Sequence, residues 1–159
     1  MTISALPQLA LPAFDVRLRA TSRDSDDAEI YDFLRGKWVA LTPEEWVRQH
    51  FVNMLVGHLG YSAHRIANEV GINLNGMRRR CDTIVYDNAM RPAMIVEYKA
   101  PQIKLTQKTM DQIARYNMVL GAPYLVLSNG LETHALHLTP PSYGFLSSFP
   151  TFAEVLSDF

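Results

Sequence analysis

An α/β fold, in which a mixed central β-sheet is flanked by helices, is predicted by three observations. A capped amphipathic helix is written over 42–59. Three strands joined by short polar turns follow it, and a second helix then separates two apolar strands as a crossover connection requires. The 159 residues suit one domain, and 48% apolar residues with 10% aromatics supply a core. The chain therefore reads as a single domain over 1–159, with a core of about 28–138, an N-terminal strand extension over 1–27 and a tail over 139–159.

The elements follow in order. Phe14, Val16 and Leu18 alternate with polar neighbours, which predicts a short strand, and Thr21 to Asp27 is a polar, acidic turn. A second short strand includes Ile30 and Phe33, and Trp38 to Leu41 a third, with Gly36 between them. Thr42-Pro43-Glu44-Glu45 then places a Thr N-cap, a Pro at the first helical position and a Glu three residues after the cap. The helix runs to about Leu59, with Val47, Phe51, Met54, Leu55 and His58 as its inward stripe. Residues 64–74 alternate loosely up to Asn75-Gly76, a strong hairpin turn, and 77–86 returns. The turn Asp87 to Pro92 leads into a central strand over 93–99. A helix over roughly 106–120 carries Met110, Ile113, Asn117 and Leu120 on one face and ends at Gly121 and Pro123. Tyr124 to Leu127 is a short buried strand of crossover type. Ser128-Asn129-Gly130 joins it to a last strand near 131–138, a Pro/Ser/Gly-rich loop covers 139–150, and 152–159 adds a helical turn.

Composition narrows the chemistry. The formal charge is −1, so any nucleic-acid partner would be held by local clusters or with help from another subunit. Arg78-Arg79-Arg80 is the compact basic run, suited to phosphate or to a solvated strand end. The single Cys81 excludes an internal disulfide and a multi-cysteine zinc site, and its position fits a packed core thiol. His134 and His137 fall on opposite faces of a strand, which argues against zinc. No Gly-rich phosphate loop supports nucleotide hydrolysis. The first residues lack the basic start of a signal peptide, and no apolar run approaches the roughly 20 residues of a membrane span. A soluble, cytoplasmic protein without membrane contact is expected.

One constellation carries chemistry. Glu97 and Lys99 share a strand face, with Tyr98 pointing away. Asp82 lies on the preceding strand. With the turn centred between Ala89 and Met90, Asp82 and Glu97 are equidistant from it, so antiparallel pairing sets them opposite each other, about 5 Å apart at Cβ. Two carboxylates at that distance repel unless a proton or a cation lies between them. Mg²⁺ binds through one or two carboxylates plus waters and phosphate oxygens, and Mn²⁺ is a possible substitute. Lys99 beside them would orient or deprotonate the attacking water, or balance charge on phosphate. The plain alternative is a cross-strand salt bridge of Lys99 with either acid.

Several motifs in order carry a resemblance. Leu41-Thr-Pro-Glu-Glu-Trp-Val-Arg48, Arg80-Cys-Asp82, Val96-Glu-Tyr-Lys-Ala-Pro101, Asp111-Gln-Ile-Ala-Arg-Tyr-Asn117 and Ser128-Asn-Gly130 are together similar to the N-terminal nuclease domain of type I restriction enzyme R subunits. That domain lies within the PD-(D/E)xK nuclease superfamily. The resemblance spans roughly 28–138 and implies a three-layer restriction-endonuclease-like fold with an α-β-β-β-α-β core. It implies an Mg²⁺-dependent DNA endonuclease, with Asp82 and Glu97 as metal ligands and Lys99 serving the water. Gln112 and Tyr116 match the Gln-x-x-x-Tyr motif that lies beside such sites; a polar helix face is the equal alternative. The superfamily often adds a glutamate from the first helix. Glu44, three before Val47, is the preferred candidate, because Glu45 already serves the capping box. Arg48 is assigned to phosphate or to pairing with these acids, and Arg80 to phosphate.

Two departures qualify the resemblance. The proline of the superfamily's name is Cys81 here, as in many members. The helicase motor of R subunits has no room in 159 residues, so ATP-driven translocation is not expected. DNA and other restriction-system subunits are the implied partners, and a homodimer is compatible. The alternative function is a non-catalytic nucleic-acid-binding or assembly module that retains the nuclease fold.

Overall fold

The computed structural model describes residues 1–138 and 144–158. Three short strands, β1 (Leu18–Ala20), β2 (Ala28–Asp32) and β3 (Lys37–Ala40), form a small antiparallel sheet. Helix α1 (Pro43–His58) follows, with Thr42 Oγ1 accepting the Glu45 N–H at 3.0 Å as its N-cap. The main sheet contains β4 (Ile66–Leu74), β5 (Met77–Tyr86), β6 (Pro92–Tyr98), β7 (Tyr124–Ser128), β8 (Thr133–His137) and β9 (Gly144–Phe145), in that order. Helix α2 (Gln107–Leu120) connects β6 to β7, which pair in parallel; the other neighbours are antiparallel. A crossover helix is the connection a parallel pair needs.

The sheet separates two apolar layers. On one face α1 contributes Val47, Phe51 and Leu55, which meet Val85, Met94, Val96 and Tyr98. On the other, α2 contributes Met110, Ile113 and Tyr116, which meet Cys81, Ile84, Ile95 and Leu125. Adjacent residues of β6 thus face opposite layers, which explains why its central run is apolar without alternation. This is a three-layer restriction-endonuclease-like arrangement, as predicted. The short helix α3 (Phe152–Leu156) returns Phe152 and Val155 to the α1 layer.

Details differ from the sequence pattern. Phe14 and Val16 precede β1, and Phe14 packs edge-on against His50 instead of pairing in a ladder. Phe33 lies in the β2–β3 turn and is exposed. His58 is exposed, whereas the first turns of α1 are buried almost all round, from Glu45 to Val52. The added cover comes from the N-terminal segment, where the Pro7 carbonyl accepts from the Trp46 indole at 2.9 Å. Of the expected 139–150 loop, 139–143 lie outside the described residues, and 144–145 form the edge strand β9.

Both turn-based registers hold. Asn75 and Gly76 take φ of +53° and +78°, the left-handed pair that a two-residue hairpin needs. On β5–β6, Thr83 pairs with Val96 and Ile84 with Ile95, so the next position in register is Asp82 opposite Glu97. In β4–β5, ladder pairs run from Leu74–Met77 to Ile66–Val85 but omit Glu69 opposite Asp82. Glu69 has φ of +58°, a left-handed conformation that costs a non-glycine residue about 1–3 kcal/mol. Towards the hairpin root, Asn68 and Thr83 bond to each other and reach Asp32 and Tyr98, on the α1 side. Towards the tip, Val70, Ile72 and Cys81 join the α2 layer. The side-chain alternation reverses at Glu69 and Asp82.

Candidate active site

Three carboxylates thus form a row across three strands, with Glu69 on β4, Asp82 on β5 and Glu97 on β6. Asp82 stands in the middle, where the β5–β6 ladder ends at Thr83–Val96 and the β4–β5 ladder skips a pair. Its Oδ2 accepts the backbone N–H of Tyr98 at 2.8 Å, standing in for a strand partner. Glu97 is 7% exposed, and its Oε2 has no hydrogen-bond partner among the described residues. Lys99 Nζ lies 3.9 Å from Glu97 Oε1. Burial, and then the neighbouring Asp82 charge, push the Glu97 carboxyl up to about 8, against the pull of Lys99 and Arg48. Burial also raises Asp82 above the usual aspartate range, although the Tyr98 N–H and Arg48 oppose it. The anionic state of this pair is therefore under-compensated by the protein alone.

Arg48 is the organising cation. It is 4% exposed, with Nη1 3.1 Å from Glu45 Oε2, and Nη2 2.5 Å from Glu69 Oε1 and 3.4 Å from Asp82 Oδ1. Its carboxylate partners keep it inside, and of the two expected roles, phosphate contact or pairing with the acids, the second is the one the structure shows. Of the two helix-borne glutamates, Glu45 is the one joined to the acid row, through Arg48, whereas the preferred Glu44 is exposed to solvent. Glu45 receives the N-cap bond on its N–H, but its carboxylate turns to Arg35 (2.9 Å), Arg48 (3.1 Å) and Gln49 (2.8 Å). Arg35 in turn holds Asp32, which also accepts from Asn68. Asn68 accepts from Thr83 at 2.8 Å, and Thr83 from the Tyr98 hydroxyl at 2.9 Å. One polar chain thus ties β2, α1, β4, β5 and β6 behind the acid row.

Gln112 donates to the Tyr116 hydroxyl at 3.1 Å, and both line a groove of about 510 Å³ that Asp82, Glu97 and Lys99 do not border. Arg80 has a side chain 75% exposed and lies 3.6 Å from Glu69, within reach of an incoming anion. Cys81 is fully buried, and burial pushes its thiol up to about 12, which suits a core group. His134 is exposed beside Glu132, while buried His137 pairs with Asp158 at 3.1 Å.

Glu69 escaped the sequence reading, though its signal was present. The Asn75-Gly76 turn that sets the hairpin also places residue 69 opposite residue 82. A hydrogen bond from Arg48 holds the Glu69 carboxyl below the ordinary glutamate range despite partial burial.

Among the described residues no cluster of three or more Asp, Glu, His or Cys side chains is arranged as a ready-made metal cage. Mg²⁺ does not need one, since it keeps most of its waters and takes one or two carboxylates. The unsatisfied Glu97 Oε2 beside Asp82 fits that donor set.

A mixed sheet between two helices, with an Asp from the middle of one strand beside a Glu and a lysine at the end of the next, defines a restriction-endonuclease-like domain. The chain belongs to the family described as the type I restriction enzyme R protein N terminus, which matches residues 43–150. Among solved structures it resembles a fragment described as an HsdR subunit of a type I restriction enzyme from Vibrio vulnificus YJ016, with 22% identity and a TM-score of 0.58. That likeness covers 74% of this chain and 25% of the other, so this chain spans about a quarter of its length. No curated protein matches. Among the described residues no helix is long and apolar enough to cross a membrane.

Proposed function

We propose that this chain is an Mg²⁺-dependent DNA endonuclease domain of a restriction system, working in the cytoplasm with other subunits of that system. The observation that carries this reading is the buried, unpartnered Glu97 Oε2 next to Asp82, with Lys99 Nζ 3.9 Å from the other Glu97 oxygen. Asp82 and Glu97 would hold Mg²⁺, or Mn²⁺ in its place. When bound, such an ion supplies Lewis-acid stabilisation of a phosphoryl oxygen and lowers the pKa of a coordinated water.

The chain's own residues do the rest. The Tyr98 N–H fixes the Asp82 carboxylate, and Arg48 limits its rotation by binding the second oxygen. Glu97 is held in a rigid central strand, so its position costs no ordering when substrate arrives. Lys99 takes the water-side role, either accepting a proton from the attacking water or offsetting charge that builds on phosphate.

The test is metal-dependent nicking of supercoiled plasmid by wild type, Asp82→Ala and Lys99→Ala proteins. Cleavage under Mg²⁺ or Mn²⁺ that both substitutions abolish supports the reading; variants that cut as fast as wild type would sink it. A second reading, a nucleic-acid-binding or assembly module without catalysis, draws on the contact of Arg48 with Asp82, which already neutralises part of the metal-binding face. DNA affinity with no cleavage under either metal would favour it.

A further inference from the structure

The β2–β3 turn and the β4–β5 hairpin enclose a groove of about 630 Å³ whose charge the acid row does not explain. It is lined by Arg35, Lys37, Arg78, Arg79 and Arg80, with Glu69 as the acid on its wall. The whole chain carries −1, so five cations here are a local concentration. Among them Glu69 pairs only with Arg80, at 3.6 Å, and its other carboxylate oxygen is taken by Arg48 at 2.5 Å. Lys37, Arg78 and Arg79 are exposed, and among the described residues no carboxylate lies within ion-pair distance of them. Arg35 differs: Asp32 and Glu45 hold it in place, so it is a fixed cation at the groove's inner end.

No apolar or aromatic side chain lines this groove. It offers nothing to stack a base on and a row of donors for phosphate oxygens, which is the chemistry of backbone positioning rather than base readout. We propose that it binds the sugar–phosphate backbone of the DNA strand leading into the Asp82–Glu97 site. The proposal rests on the nuclease reading for the direction of that strand. Arg80 and Arg78 stand two and four residues from Asp82 on β5, about 6.6 and 13 Å along an extended strand. The small β1–β3 sheet thereby gains a role, since its second turn and β3 carry Arg35 and Lys37 as the groove's far wall. Arg79 also borders the second groove, where Lys108 and Arg115 are mixed with Asp111. That flank is the competing path.

The test measures DNA affinity by fluorescence anisotropy on the full chain with a short labelled duplex. Lys37→Glu/Arg78→Glu is expected to weaken binding at least tenfold on every duplex sequence. Lys37→Ala and Arg78→Ala should each lower the log–log salt slope by about one. Lys108→Glu/Arg115→Glu should leave affinity within about twofold. All these side chains are exposed, and thermal melts check that the variants fold. Unchanged affinity and salt slope in the Lys37 and Arg78 variants would overturn the proposal, as would a larger loss on the α2 flank. Cleavage is read separately. A wild-type protein that binds DNA through Lys37 and Arg78 but never cuts refutes the nuclease reading and leaves the groove standing. A protein that cuts while its affinity ignores those residues does the reverse.

Discussion

Glu97→Gln separates stability from metal binding more sharply than any other single change at the acid row. The substitution keeps the shape, removes the charge and supplies an N–H that can face Asp82. Glu97 is nine-tenths buried, and its carboxyl is pushed up to about 8, chiefly by burial and then by Asp82. An acid raised in this way binds its proton more tightly when folded than when unfolded. Its stabilisation is full below the ordinary glutamate range and is lost as pH rises from there to about 8. At ~1.36 kcal/mol per pH unit, the wild type forfeits roughly 3 kcal/mol by pH 7, an upper figure because a buried pair relaxes. Without metal, the Glu97→Gln protein should therefore match wild type at acid pH and exceed it by ~1–3 kcal/mol near neutrality. Mg²⁺ reverses the order. An ion that binds only folded wild type adds ~2.7 kcal/mol at about a hundred times its Kd, and the Glu97→Gln protein forfeits that gain. Urea unfolding across this pH range, with and without Mg²⁺, reads both effects. A variant less stable than wild type at neutral pH without metal would refute the burial reasoning. Equal stabilisation of both proteins by Mg²⁺ would refute Glu97 as a ligand.

Arg48→Met should cost roughly 3–5 kcal/mol in chemical denaturation, because it strands Glu45, Glu69 and Asp82 without their shared cation. Asp32→Ala should cost a similar amount, since that fully buried carboxylate accepts from two backbone N–H groups, Arg35 and Asn68. Burial alone would raise its carboxyl, but the bonds from Arg35 outweigh that and hold it below the usual aspartate range. Its stabilisation is therefore present above the ordinary aspartate pKa and lost as pH falls, so wild type and Asp32→Ala should converge on acidification in pH-dependent urea melts. Tyr98→Phe should cost only about 1 kcal/mol by removing the donor to Thr83. It should leave Mg²⁺ affinity, measured calorimetrically, unchanged, because Asp82 is held by the main-chain N–H of residue 98 and not by its hydroxyl.

Signals between near neighbours were legible in the chain itself. Turn chemistry at Asn75-Gly76 and the symmetry of the Ala89–Met90 turn set both registers, and register puts Asp82 opposite Glu97. The two-residue period of a strand puts Glu97 and Lys99 on one face, and the Thr42 cap marks where α1 begins. Tertiary contact decided the electrostatics. A capping box assigns Glu45 to its own helix end, yet Arg35, ten residues earlier, and Arg48 draw its carboxylate away, leaving Glu44 outside the cluster. Arg48 looks available to phosphate until α1 is laid on the sheet, where three acids enclose it. Glu69 joins the row because its backbone takes a left-handed turn that the Arg48 contact accompanies. The basic groove exists only where the β2–β3 turn meets a hairpin distant from it in the chain. Hydrogen bonds of turns and caps depend on residues a few positions apart, so local sequence specifies them. Which charges share a low-dielectric interior depends on elements far apart in the chain, and only the folded arrangement determines that.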